Sequence, residues 1–322
     1  MSVELALVAP DSFKGSFDGA EVAAAIARGV RQGGREAVEL PVADGGEGTM
    51  AVLVNALGGE LRRAPVSDPL GRQVTARFAL LADGATAVVE AAEASGLGLL
   101  ADHERDPVAA STRGTGELIA AAAAAGAGRV IVTVGGSATS DGGAGAVTAL
   151  DDAGVRPALE VLCDVRAPWE AAARMFGPQK GADPEHVAEL ERRMERLARK
   201  APRDPRGVPM TGAAGGLSGG LWAWYGAKLL PGAPFVLGAV GFEAHMREAR
   251  FVVTGEGAID RQTLQGKAAG EVATTCRQSG VACHAVVGRN GLQPFETRIL
   301  DLETVTEATT LAELEGAGRA LA

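Results

Sequence analysis

Short runs rich in β-branched residues alternate with alanine-rich helical stretches along the whole chain, and this alternation restricts the fold more than any other feature. The strand-like segments are VELALVAP (3–10), AVELPVAD (37–44), ARFALL (76–81), TAVVEAA (86–92), RVIVTV (129–134), LEVLCDV (159–165), RFVVTG (250–255) and CHAVVG (283–288). Between the first two, DGAEVAAAIARGVRQGG (18–34) sets Val22, Ile26 and Val30 on one helical face before a glycine stop. The clearest helix spans 184–200: Asp183 caps it, Pro184 takes the first position, and Val187, Leu190, Met194 and Leu197 follow at helical spacing. Its opposite face is charged and reads as a solvated surface. APRDPRGVPM (201–210) reads as an exposed proline-rich connection. With 322 residues the chain is long enough for two α/β domains.

Several function classes are excluded early. The net charge is -9 and no Lys/Arg run interleaves with aromatics, so nucleic acid is not an expected partner. Cys163, Cys276 and Cys283 form no C-x-x-C, and the four histidines form no i,i+4 pair, which argues against a disulfide scaffold and against zinc. The N-terminus has no cationic leader, and the longest apolar stretch, LIAAAAAAGAG, stops at Arg129, so no membrane segment is expected and a cytoplasmic location is. No glycine-lysine pair fits G-x-x-x-x-G-K-[ST]; G-x-G-x-x-G fails too, since Gly143-x-Gly145 reaches Thr148 and Gly114-x-Gly116 reaches Ile119. Gly216-Leu217-Ser218-Gly219-Gly220 does match G-x-S-x-G, but PMTGAAG before it is no strand, so a glycine-rich loop is the preferred reading and a serine hydrolase using Ser218 the rival one.

The chain holds 45 glycines, about twice the usual ~7% share, and they gather where strands end. Open α/β sheets bind ligands at those carboxyl ends. APDSFKGS (9–16) follows the first strand with Asp11, Ser12 and Lys14, and ADGGEGT (43–49) follows the second with Asp44 and Glu47. GGSATSDGGAG follows RVIVTV with Ser137, Thr139, Ser140 and Asp141, repeating the D-G-G-x-G of residues 44–48. EGAIDRQTLQGK follows RFVVTG with Glu256, Asp260, Gln262, Thr263 and Lys267. Glycines there would let backbone N–H groups approach an anion, with helices from about Thr49 and Ala144 aiming their positive ends at it. A carboxylate about 4 Å from a phosphate repels it by roughly 4 kcal/mol at an effective dielectric near 20, and a divalent cation between them removes the conflict. Any one of these aspartates could instead cap a helix or close a turn, but four similar loops together favour a site.

APDSFKGS, PVADGGEGT, EASGL, STRGTGELI, GGSATSDGGAG, CDV with FGPQKGA, GAAGGL and TGEGAIDRQTLQGK occur in the order seen in glycerate kinases of the bacterial type I family, which the chain resembles over about residues 3–290. The resemblance implies two α/β domains: a Rossmann-like three-layer α/β/α domain at about 1–66 plus 269–322, and a second α/β domain, about 67–268, inserted into it. The active site is expected in the cleft between them, with the two D-G-G-x-G turns facing each other. The implied activity is ATP- and Mg²⁺-dependent phosphorylation of D-glycerate, with 2-phosphoglycerate the usual product. A non-catalytic protein that binds glycerate or nucleotide is the further alternative.

Carried over position by position, the matching residues are Asp11, Ser12, Lys14, Asp44, Gly45, Gly46 and Glu47, then Ser137, Thr139, Asp141, Gln179 and Lys180, and last Glu256, Asp260 and Lys267. Asp44 or Asp141 is expected to hold Mg²⁺ and the other to orient or deprotonate the attacking hydroxyl; Lys14 and Lys267 are the candidates for neutralising the transferred phosphate or the glycerate carboxylate. The expected partners are small molecules, D-glycerate and ATP, with a homodimer left open. Arg113 stands where the family often has an aromatic and Ser140 where it usually has Asn, and the stretches before LEVLCDV and at RAPWEAAARM are shortened.

Overall fold

The computed structural model describes residues 5–322, Gln265 by its backbone alone. Of the strand expected at 3–10, Val3 and Glu4 lie outside the described residues. In chain order the strands are β1 (Leu5–Pro10), β2 (Glu36–Glu39), β3 (Gly59–Ser67), β4 (Gln73–Leu81), β5 (Thr86–Glu90), β6 (Arg129–Thr133), β7 (Ala158–Cys163) and β8 (Lys228–Pro231). They continue with β9 (Phe251–Gly255), β10 (Ala258–Ile259), β11 (Ala282–Val287), β12 (Arg289–Asn290) and β13 (Leu302–Glu307). The residues divide into two compact units, one of 1–44, 51–56 and 232–322, the other of 45–50 and 57–231.

In the first unit β13-β11-β9-β1-β2 form one sheet in which every pairing is parallel. From β1 the chain steps to β2 on one side, then returns to build β9, β11 and β13 on the other. Because parallel crossovers are right-handed, this reversal sends helices to both faces of the sheet. Helix Gly19–Gln32 forms as its sequence predicts: Asp18 accepts from Glu21 N–H at 2.8 Å, and Val22, Ile26 and Val30 are fully buried. It shares a core with Ala6, Val8, Val253, Val286 and Leu314, the last from helix Leu311–Ala320. The two helices touch backbone to backbone: a Cβ on Gly29 would lie 1.9 Å from the Glu315 carbonyl oxygen, and one on Gly318 would lie 2.1 Å from that of Ile26.

The second unit holds the sheet β3-β4-β5-β6-β7-β8, antiparallel from β3 to β5 and parallel from β5 to β8. All its parallel crossovers step in one direction, so helices Arg113–Ala124, Ala144–Ala153 and Leu217–Tyr225 gather on one face. Leu118, Ile119, Leu150, Leu217 and Leu221 pack there against Val130, Val132 and Val161. Helix Pro184–Lys200 is capped by Asp183, which accepts from His186 N–H at 2.9 Å, and its Met194 and Ala198 close a small separate core around Trp169. Among the described residues no helix is long and apolar enough to cross a membrane.

Gly29→Ala improves helix propensity by about 1 kcal/mol but forces Cβ into the facing backbone. The clash is expected to win, with a net loss of about 1–3 kcal/mol in urea unfolding; an equally or more stable variant would contradict the close approach.

Candidate active site

The reversal of strand order in the first unit lies between β1 and β9, and acidic residues gather at those strand ends. Asp11 follows β1 directly and its N–H donates to the Gly255 carbonyl at the end of β9, 2.8 Å away. The strand expected at 37–44 runs only from Glu36 to Glu39, because Pro41 has no N–H for the ladder. Leu40 and Val42 N–H still donate to the Val8 and Pro10 carbonyls at 2.8 and 2.9 Å, so the segment keeps its course beside β1 and delivers Asp44. β9 in turn delivers Glu256.

Asp11, Asp44 and Glu256 are all buried. Burial pushes the Asp11 carboxyl up to about 8, helped by the neighbouring Asp44 and Glu256 and opposed by the Ser12 N–H, at 2.6 Å, and by Lys14. The Glu256 carboxyl is also raised, chiefly by burial, although Thr263 Oγ1 donates to it at 2.6 Å and Lys267 Nζ at 3.5 Å. Lys14 Nζ stands 4.0 Å from Asp44 Oδ2, its side chain largely exposed. Ser12 is half-buried beside them. Asp260 stands apart: its Oδ1 accepts from Gln262 N–H at 2.8 Å and closes a turn, and its own N–H donates to Thr263 Oγ1 at 3.1 Å.

In the second unit the loop after β6 is built around Asp141. Oδ2 accepts from Thr112 N–H at 2.8 Å, Thr112 Oγ1 at 2.9 Å, Gly145 N–H at 3.1 Å and, weakly, Ser111 Oγ at 3.5 Å, while Oδ1 accepts from Gly143 N–H at 3.0 Å. Gly145 has to be glycine, since a Cβ there would lie 2.2 Å from Ser111 Oγ and 2.5 Å from the Arg113 nitrogen. Ser137 Oγ and Thr139 Oγ1 are paired at 3.0 Å. Lys180 is buried and donates from Nζ to the Thr139 carbonyl at 2.5 Å. Burial pushes its amine down to about 7, with Asp141 pulling the other way. Gly45 and Gly46 are buried in this unit, whereas Glu47 and Gln179 are exposed.

One expectation fails. The positive ends of the helices starting at Thr49 and Ala144 do not wait for an anion, because carboxylates of the chain already meet them: Asp141 takes the Gly143 and Gly145 N–H groups, and Glu90 Oε1 takes the Met50 N–H at 2.7 Å. Buried amides at a helix start require an acceptor, and the fold supplies one. Glu90 and Thr112 are not among the candidate site residues read from the sequence, although Thr112 lies within STRGTGELI. Glu90 ends the wholly buried strand β5, where burial pushes its carboxyl up to about 7 despite the Met50 N–H; a lone acid closing an apolar run was the available signal. Ser218 has no nucleophile geometry: it is fully buried at the second position of its helix, and Oγ donates to the Met210 and Ala213 carbonyls at 2.6 and 3.2 Å.

Among the described residues no three acidic, histidine or cysteine side chains close on a point that could hold a metal by themselves. The oxygen-only set of Asp11, Asp44 and Glu256 nevertheless suits a hard divalent cation. Mg²⁺ is ordinarily held by one or two carboxylates with substrate phosphates completing its shell, so an open protein shell is the expected form.

The model of the glycerate kinase family matches residues 6–157 and 151–316. Glycerate 2-kinase of Escherichia coli (strain K12) is 40% identical over 300 residues, covering 81% of this chain and 79% of that protein. Glycerate kinase of Bacillus subtilis (strain 168) is 41% identical over 324 residues, covering 88% and 84%. The crystal structure of putative glycerate kinase 2 from Salmonella typhimurium LT2 superposes with a TM-score of 0.82 at 33% identity, covering 99% of this chain and 97% of that one.

A buried lysine whose folded pKa is about 7, against an ordinary 10.5, disfavours the folded state below pH 7 and releases that penalty as pH rises towards 10.5, because over that window the unfolded chain holds more protons. Lys180→Met should therefore be more stable than the wild type at pH 6.5, with the difference shrinking by pH 9.5 in urea titrations. A gap that widens with pH would contradict this.

Proposed function

The chain belongs to the glycerate kinase family, and on that basis we propose that it transfers the γ-phosphoryl group of ATP to a hydroxyl of D-glycerate, with Mg²⁺, to give 2-phosphoglycerate. A kinase with ATP as co-substrate is what the family requires; the 2-position is supported by the name of the Escherichia coli relative. The observation that carries the reading is the group at the strand-order reversal: three buried carboxylates, Asp11, Asp44 and Glu256, with Lys14 and Lys267 beside them. Such a set is costly to bury without cations. Phosphoryl transfer needs a place where metal, phosphate and ammonium charges compensate one another.

Asp44 is assigned to the metal, with Asp11 and Glu256 as its acidic neighbours. Mg²⁺ when bound supplies charge neutralisation for the phosphate oxygens. Lys14 and Lys267 bind the transferring phosphoryl group or the glycerate carboxylate as point charges. Asp141 is the second carboxylate assigned to the reaction, to orient the acceptor hydroxyl, and its ring of N–H and O–H donors fixes its rotamer. Ser137, Thr139 and Lys180 hold the substrate around it, Lys180 anchored on the Thr139 carbonyl. Ser12, Gly45, Gly46, Glu47, Gln179 and Asp260 complete the proposed binding residues. No observation favours the serine hydrolase, since the Ser218 hydroxyl already donates to backbone carbonyls.

Coupled measurement of ADP release with D-glycerate tests the activity, and phosphorus NMR of the product separates 2- from 3-phosphoglycerate. Turnover should vanish on chelation of Mg²⁺. Asp44→Asn should lower kcat by at least about 10²-fold, the scale of losing one preorganised charge contact, while keeping the wild-type circular dichroism spectrum. Undiminished turnover in that variant would remove Asp44 from the site.

A further inference from the structure

Beyond the acidic group, at the carboxyl ends of β9 and β11, an open depression of about 410 Å³ is lined by Asp260, Arg261, Gln262, Gly291, Gln293 and Glu296. The loops that form it follow β10 and β12, a short parallel pair in register from Ala258 with Arg289 to Ile259 with Asn290. Thr263 joins the depression to the acidic group, since its hydroxyl donates to Glu256 at 2.6 Å and accepts from the Asp260 N–H at 3.1 Å. Whatever sits in the depression therefore lies one residue away from Glu256 and its ammonium partner Lys267.

We propose that this depression is the nucleoside subsite, taking the adenosine part of ATP. The assignment rests on the kinase reading above. Its volume falls at the lower end of the roughly 300–1,000 Å³ range of small-molecule sites. The lining excludes a bare anion, because two carboxylates, Asp260 and Glu296, stand against one guanidinium. It suits an uncharged ligand with hydroxyls and a nitrogen heterocycle. A carboxylate accepts from ribose hydroxyls, and the Gln262 and Gln293 amides can each donate and accept at a purine edge.

Arg261 is prepared for such contact. Its Nε donates to Glu296 Oε1 at 2.7 Å, and Glu296, buried, also accepts from the Gln293 N–H at 2.8 Å. The guanidinium is thereby tethered at one edge while its side chain stays 72% exposed, the arrangement in which an arginine plane stacks on an aromatic ring. The depression also lies at the edge of the sheet where doubly wound folds bind ligands: the reversal of strand order falls between β1 and β9, and the depression lies at the carboxyl ends of β9 and its neighbour β11, next to that crevice.

Photolabelling of the wild-type chain with 8-azido-ATP, followed by peptide mapping, reads the site directly. Label is expected on 260–262 or 291–296, and excess adenosine, which has no phosphate, should reduce it at least threefold. In parallel, Arg261→Ala/Gln262→Ala should raise KM for ATP at least tenfold and leave KM for D-glycerate unchanged. Label confined to other peptides, or an unchanged KM for ATP, overturns the subsite even where the chain turns over glycerate. Label at these peptides without ADP release upholds the subsite and overturns the acceptor assignment instead.

Discussion

The first unit depends on where its sheet changes direction. A chain that adds β2 on one side of β1 and β9 on the other leaves two neighbouring strand ends whose following loops must part, and a gap opens between them. Asp11, Asp44 and Glu256 fill it and are buried there, each delivered by a strand end or by a segment bonded to one. The arrangement strains electrostatically, as the raised carboxyls of Asp11 and Glu256 express, and it becomes favourable once positive charge enters.

The second unit accepts a comparable cost in another form. Lys180 loses its hydration entirely, and one carbonyl bond with the influence of Asp141 does not restore the pKa of a free amine. A methionine of similar length would fill the space without that penalty, so stability alone does not account for the lysine. The same reasoning separates Asp141 from Lys180: the five donors around Asp141 satisfy its charge and simultaneously join the loop at 111–113 to the start of helix Ala144–Ala153.

What could be read from the sequence was whatever local chemistry decides. Helix Pro184–Lys200 lies where its aspartate, proline and apolar spacing put it, and β6, β7, β9 and β11 fall within a residue or two of their β-branched runs. β3 and β13 were not legible. GELRRAPVS carries charges and a proline because it is an edge strand, and LETVTE alternates too weakly; both are strands because a neighbour pairs with them. Motifs located the acidic groups, but Glu90 and Thr112 act through hydrogen bonds that span 40 and 29 residues of sequence, and no local pattern encodes such a partner.

The two D-G-G-x-G turns show the same limit most clearly. Asp44 and Asp141 share their flanking glycines, and both turns lead into a helix whose N-cap glycine is left-handed, Gly48 and Gly143. Their surroundings differ. Asp44 sits with two further buried acids and an ammonium 4.0 Å away. Asp141 accepts from a ring of backbone N–H and hydroxyl groups, with the Lys180 amine as its charged neighbour. The two helix starts are met differently: Glu90 accepts from the Met50 N–H, forty residues away in sequence, whereas Asp141 accepts from the Gly143 and Gly145 N–H groups of its own loop and helix. One motif thus stands in two different surroundings, each set by residues outside the motif itself.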